Sequence, residues 1–423
     1  MKKRPDILYL VHRVPYPPNR GDRIRSFHLL EFLAQRANIH LATLADEPVT
    51  DETMKALRER CRRVEIQSLG RSRWLHGAAS LAGGKSATEG LFWNRDLYRT
   101  VRNWSRETHF DFAVVVCSSM VQYLSIPALR HVPAIVDLID VDSQKWFDYA
   151  AKTRSPKRWL YLLEGGRLRR LERRSGGRAS AVVLVSEAEA ELYRSIFPNS
   201  HTYGVPNGVD LDYFQPLPGE GRPGRCVFVG ALDYRANIDG ICWFCREVWP
   251  GIRSARTDAT LAIVGRNPSP EVRQLSNLEG VEVFGSVPDV RPYLADASIA
   301  IAPLRIARGI QNKVLEAMAA GRPVVASPEA LEGLAVEAGR HVVRAASPQQ
   351  WVQELSRLMD DGELRLQIAQ AAKSFVTGNH NWQACLAPIE TLLRESGVAL
   401  ISPETSNASR GRSDSRELAT AGK

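Results

Sequence analysis

Arg308-Gly-Ile-Gln-Asn-Lys-Val-Leu-Glu-Ala-Met-Ala-Ala-Gly-Arg-Pro-Val-Val-Ala-Ser327 reads as a loop, one helix, a tight turn and a buried strand. Gly309 has no side chain, so a ligand can lie close against its backbone. The helix that follows offers unpaired N–H groups, Ile310 with Gly309 at its entry, and the positive end of a dipole, which suits a phosphate. Lys313 and Glu316 stand three residues apart and so share one helical face near that end. A lysine neutralises phosphate charge, and a carboxylate accepts hydrogen bonds from a ribose diol. On this stretch alone a plainer reading stays open, a surface helix carrying an ion pair. Gly321 caps the helix and Pro323-Val-Val-Ala-Ser327 returns to the sheet.

The same alternation of short apolar runs and amphipathic stretches fills the rest of the chain, the pattern of βα units around parallel sheets. Strands are expected at Ile7–Val11, Ile39–Leu44, Ala113–Cys117, Ala134–Leu138 and Ala181–Val185. A second set is expected at Cys226–Val229, Leu261–Val264, Val281–Phe284, Ile299–Ala302 and Val324–Ala326. Two such sets imply two doubly wound domains. The join falls near Tyr203-Gly-Val-Pro-Asn-Gly-Val-Asp210, where Pro206 and Asn207-Gly208 form turns. The expected division is residues 1–203, 204–378 and a returning helix at 379–398, with a polar, disordered tail over 402–423.

The 423 residues are 44% hydrophobic and 24% charged, with a formal net charge of +9, the composition of an ordinary globular chain with an anionic partner. Nucleotide sugars, polyanions and acidic membranes all qualify. Six scattered cysteines do not suggest a disulfide framework, and Cys242-Trp-Phe-Cys245 reads as helix packing. No apolar run reaches the length of a spanning helix, and the N-terminus lacks a signal-peptide pattern, so a cytoplasmic protein is expected. The segment 152–178 combines eight or more basic residues with Trp159, Leu160, Tyr161, Leu162 and Leu163. Such a helix suits peripheral contact with an anionic membrane, or else a solvated arginine face. No nucleic-acid-binding motif is present.

Four stretches together resemble the retaining glycosyltransferases of the GT-B fold, in the glycogen-synthase-like family 4. They are Pro17-Pro-Asn-Arg-Gly-Asp-Arg-Ile-Arg25, Val185-Ser-Glu-Ala-Glu-Ala-Glu-Leu192, Val205-Pro-Asn-Gly-Val-Asp-Leu-Asp-Tyr-Phe214, and Val227-Phe-Val-Gly-Ala-Leu-Asp-Tyr-Arg-Ala-Asn237 with the helix quoted above. The opening from His12 to His28 is similar to a narrower group, the sugar transferases encoded beside exosortase (PEP-CTERM) exopolysaccharide systems. The resemblance implies two Rossmann-like domains facing a cleft, the donor nucleotide sugar held by the C-terminal one, and a last helix crossing back to the N-terminal domain. It implies no metal and no bound cofactor, with a saccharide or polyprenyl-linked acceptor and a place in exopolysaccharide biosynthesis.

By the same resemblance Glu316 matches the second glutamate of the family's paired motif, the one at the donor ribose. The first glutamate's position, eight residues earlier, holds Arg308. After Gly230 the family's arginine and lysine are replaced by Ala231 and Asn237, leaving Arg235, Arg305, Arg308 or Lys313 to meet the diphosphate. Gly21 opens the first helix at the carboxyl edge of the sheet, with Arg25 one turn on, where donor phosphate or acceptor lies. Asp22 is expected to cap that helix. Asp140 and Asp142 follow a first-domain strand and are the candidate catalytic or acceptor-facing acids. Gly285 stands where a backbone meets the nucleobase. Two other readings fit the same residues, a nucleotide-sugar 2-epimerase and a non-catalytic sugar-nucleotide-binding scaffold.

Overall fold

The structure, a computed structural model, describes residues 4–70, 72–216, 219, 221–307 and 309–401. Arg308 and the tail from residue 402, with its expected disorder, lie outside the described residues. The chain forms two compact units. The first runs to Val205 and takes up the chain again from Leu386; the second is Pro206–Cys385.

Unit 1 contains β1 (Asp6–Val11), β2 (Asn38–Ala45), β3 (Arg63–Ser68), β4 (Phe112–Val116), β5 (Ala134–Ile139), β6 (Ala181–Leu184) and β7 (Thr202–Gly204). They form one parallel sheet in the order β3-β2-β1-β4-β5-β6-β7. Every residue of β1 and β4 is buried. Burial on both faces favours apolar residues, which is why Ile7–Val11 and Phe112–Val116 read as uninterrupted runs. Each fully buried Val or Leu contributes about 1.5–3 kcal/mol, so such a run has one stable place.

Unit 2 repeats the plan with β8 (Arg222–Val229), β9 (Thr260–Val264), β10 (Val281–Phe284), β11 (Ala297–Ala302), β12 (Val324–Ala326) and β13 (Val343–Arg344). Its sheet order is β10-β9-β8-β11-β12-β13, again parallel. In both units the first strand is flanked on one side by the next strand and on the other by a later one. That reversal of winding opens a crevice at the carboxyl ends of β1 and β4, and of β8 and β11. Cys242 and Cys245 are buried in the helical stretch after β8.

Three strands are absent from the sequence expectation: β3, β7 and β13, each at an edge of its sheet. β3 is half-buried along most of its length, and β7 and β13 have only three and two residues. None offers the apolar run that marks an interior strand. The helix Lys157–Arg178 forms as expected, but its arginine-rich half is committed to the protein. Arg167 donates to the carbonyls of Leu81 and Lys85, Arg174 to Glu89, and Arg178 to the carbonyls of Leu129 and Val132. Two glutamates of this helix cap other helices: Glu164 accepts from Ala87 N and Thr88 N, and Glu172 from Ser143 N and Oγ. From Leu386 the chain is tied to unit 1 by Arg36, whose Nε lies 2.7 Å from Glu390.

Candidate functional site

In unit 2 the quoted stretch folds as a loop after β11, then the helix Asn312–Ala319. Gly309 has φ +63°, a conformation that favours glycine. Gly309 and Ile310 are buried, and their N–H groups donate to no backbone carbonyl among the described residues. The helix ends in a Schellman turn: Gly321, at φ +72°, donates to the Met318 carbonyl and Arg322 to that of Ala317. Ser327 Oγ closes the unit on the Leu304 carbonyl at 2.5 Å. Asn207, in the turn that starts unit 2, donates to Asn312 Oδ1 at 2.9 Å and thereby fixes the first residue of the helix. His380 Nδ1 lies 2.8 Å from the Asn207 carbonyl and fixes that turn in its place.

Lys313 projects from this helix to the carboxyl end of β8. Its Nζ donates to Asn237 Oδ1 and lies 4.6 Å from the centre of the Phe228 ring. Asn237 in turn donates to the Ala231 carbonyl at 2.8 Å. Both meet over Gly230, where an added Cβ would stand 3.0 Å from Lys313 Nζ and 3.0 Å from Asn237 Nδ2. The asparagine that replaces the family's lysine therefore holds a lysine that comes from elsewhere. The Glu316 carboxylate, one turn along, accepts no hydrogen bond among the described residues, while its backbone carbonyl takes the Ala320 N–H. Burial in this recess pulls the Lys313 ammonium down to about 7 and pushes the Glu316 carboxyl up to about 7, while their mutual attraction opposes both shifts. A half-buried cation and a half-buried acceptor thus stand at this helix start with few partners from the protein itself.

The remaining donor-site expectations lie on other loops and helices of unit 2. Arg235 is exposed at the start of the helix after β8, and Arg305 forms an ion pair with Asp239 at 3.4 Å. Gly285 follows β10 with open space where a Cβ would stand. Arg308 lies outside the described residues.

The carboxyl edge of the unit 1 sheet is built differently. Gly21 is exposed at the first position of the helix Gly21–Ala34. Asp22 is the second residue of that helix rather than its N-cap; its carboxylate accepts from Arg23 N at 3.1 Å and faces Arg13 at 2.7 Å and His12 at 3.2 Å. Burial opposes its ionisation, but His12 and Arg13 outweigh that and hold it well below the usual carboxylate range. Arg13 continues to Asp46, which also takes Arg20 and Arg23. Arg25 corrects its expected role. It is fully buried, with Nε 2.7 Å from the equally buried Asp137 and Nη1 2.9 Å from the Val205 carbonyl, so no phosphate reaches it.

Asp140 and Asp142 do come together after β5, both on Lys145 Nζ, at 2.7 and 3.1 Å. Ile139, just before them, has φ +69°, and Cys117 after β4 has φ +78°. A β-branched residue pays in strain for that conformation, which marks this edge as a constrained place. A recess of about 290 Å³ opens beside it between the loops after β1 and β2, lined by Tyr16, Asn19, Arg23, Asp46, Glu47 and Glu52. Arg13, Lys145 and Asp137 have no role in the sequence reading; that of Asp137 depends on Arg25, 112 positions away. No group of three His, Cys, Asp or Glu among the described residues could hold a metal ion.

Comparison with known proteins agrees with this architecture. Residues 25–208 match the family described as glycosyl transferase 4-like domain, and residues 223–361 that described as glycosyl transferases group 1. Over 140 residues the chain is 29% identical to glycosyltransferase 1 domain-containing protein 1 of Xenopus tropicalis, covering 31% of this chain and 40% of that protein. Over 131 residues it is 31% identical to phosphatidyl-myo-inositol mannosyltransferase of Mycobacterium leprae, covering 29% of this chain and 34% of that protein. The matched part is thus less than half the length of either relative. Among solved structures, sucrose-phosphate synthase of Thermosynechococcus elongatus superposes with a TM-score of 0.67 at 17% identity, covering 93% of this chain and 99% of that one. Anabaena HepE in complex with UDP and glucose gives a TM-score of 0.63 at 15% identity, over 92% and 99% of the two chains. With residues 25–208 matched by the 4-like domain and 223–361 by the group 1 domain, the chain carries the two domains of group 1 glycosyltransferases on a GT-B fold.

Proposed function

We propose that the chain transfers a sugar, with retention of configuration, from a nucleotide-sugar donor to a lipid-linked or saccharide acceptor in exopolysaccharide assembly. The observation that carries this reading is the recess of Lys313 and Glu316 beside Gly230, a cation and a carboxylate short of partners at the carboxyl edge of a parallel sheet. Glu316 accepts from the ribose hydroxyls. Lys313, with the N–H groups of Gly309 and Ile310, takes the charge that grows on the leaving diphosphate oxygen as the bond to the anomeric carbon breaks. Each charged hydrogen bond is worth about 1.5–3 kcal/mol, and the helix end adds about 0.3–1 kcal/mol. These groups do the work of a cation, so no metal is required.

Asp140 and Asp142 orient the acceptor hydroxyl that attacks. A lipid-linked acceptor is supported by the apolar and basic segment around Trp159, and by a relative named as a phosphatidyl-myo-inositol mannosyltransferase. Family membership among glycosyltransferases favours transfer over 2-epimerisation. A thermal-shift screen against UDP, GDP, ADP and TDP with their sugars, with and without chelator, tests the reading. Stabilisation by one nucleotide that survives chelator is expected. If nucleotide binds and no nucleoside diphosphate is released with any acceptor, a binding scaffold replaces the transferase.

A further inference from the structure

Large apolar side chains stand exposed on unit 1 in two helices. Trp74 and Leu75 are 64% and 73% exposed at the start of the helix Arg73–Ala82. Trp159, Leu160 and Leu163 are 75%, 51% and 45% exposed in the first two turns of the helix Lys157–Arg178. The two helices are joined. Arg167 Nη1 lies 2.6 Å from the Leu81 carbonyl and 3.1 Å from that of Lys85, and Glu164 holds Ala87 and Thr88 just beyond. Five exposed large side chains in two linked helices are a contact surface rather than scattered exceptions.

Charge selects the partner. Residues 71–88 contain no Asp or Glu and include Arg73 and Lys85, the latter also 3.4 Å from the buried Glu89. Residues 149–163 contain none either, and carry Lys152, Arg154, Lys157 and Arg158. All of these but Arg73 are exposed. Tryptophan and leucine among lysine and arginine, with no carboxylate between them, match the boundary between anionic headgroups and acyl chains. No helix of the described residues is long and apolar enough to cross a membrane, so the contact is with its surface.

We propose that the helix Arg73–Ala82 and the first two turns of Lys157–Arg178 form a docking face for an anionic lipid bilayer. This face deepens the proposed use of a lipid-linked acceptor and rests on that reading for its purpose, though not for its chemistry. It relocates the membrane contact expected over 152–178: Arg167, Arg169, Arg174 and Arg178 serve the fold, and a helix without a basic run in the sequence supplies the second tryptophan.

The test is cosedimentation of the full chain with phosphatidylglycerol–phosphatidylcholine vesicles and with phosphatidylcholine alone, without donor or acceptor. Binding to the anionic vesicles, weakened by salt, is expected. Trp74→Ser with Trp159→Ser should lower partitioning by about tenfold or more. Lys157→Gln with Arg158→Gln should lower it by about tenfold at low salt, and much less at high salt. All four side chains are exposed, so melting temperatures and nucleotide-induced shifts should stay those of the parent. Absence of binding to anionic vesicles, or unchanged binding by the double tryptophan variant, overturns the proposal. Loss of nucleotide response in the parent chain, with vesicle binding intact, instead defeats the transferase reading and leaves the docking face standing.

Discussion

The carboxyl edges of the two sheets occupy equivalent places in one architecture, yet their charges are spent in opposite ways. In unit 1, Asp22, Arg13, Asp46, Arg20 and Arg23 satisfy one another, and Asp22 is held well below its usual range. In unit 2, Lys313 and Glu316 are both drawn toward neutrality, to about 7, because burial is not matched by partners. A closed network of this kind supports structure; an open recess is an unmet demand that a ligand satisfies. Substitutions in unit 1 should therefore register first as stability, and those in unit 2 first as binding.

The harshest way to break this contrast is Asp137→Asn. It strands the fully buried Arg25, and loss of about 3–5 kcal/mol is expected in denaturant unfolding followed by circular dichroism. If the variant unfolds normally but loses nucleotide, Arg25 belongs to the ligand after all. Lys313→Met should leave unfolding nearly unchanged and weaken nucleoside diphosphate binding by about 1.5–3 kcal/mol in calorimetry. Equal affinity in the variant would remove Lys313 from the diphosphate.

Glu316→Ala should cost somewhat less, near the lower end of about 1.5 kcal/mol, and abolish any preference for ribose over deoxyribose nucleotides. The pH profile sharpens the same pair. Lys313 must be charged to meet the diphosphate, so affinity falls as pH rises through about 7; Glu316 must be ionised to accept from the ribose, so affinity falls as pH drops through about 7. A profile with a maximum near neutrality is expected, and Glu316→Gln should flatten its acid side. A profile flat from pH 6 to 8 would mean that neither group titrates in binding. The smallest effect is expected from Lys145→Met, whose partly exposed pairs with Asp140 and Asp142 are worth about 0.2–1 kcal/mol in thermal unfolding. Its acceptor KM should rise while donor affinity stays put. A change in donor affinity instead would blur the division of labour between the two edges.

What could be read directly follows from locality. Interior strands such as Phe112–Val116 announce themselves because burial on both faces demands an apolar residue at every position. The edge strands Arg63–Ser68, Thr202–Gly204 and Val343–Arg344 do not, because exposure or brevity removes that demand. The recess residues Gly309, Lys313 and Glu316 were legible because one loop and one helical turn bring them together. Asn237 was read as a missing lysine, and only the fold shows it holding Lys313 from 76 positions away.

The sequence by itself thus determined the two parallel βα domains, the helix start with its lysine and glutamate, and the family, since each depends on short-range periodicity or contiguous motifs. Tertiary structure alone decided that Arg25 is spent on Asp137, 112 positions distant, and that Arg167 is spent on the carbonyls of Leu81 and Lys85, 86 and 82 positions away. The physical reason is that a charge or an apolar ring is assigned its role by whatever surrounds it. Those surroundings are assembled from segments that lie far apart along the chain.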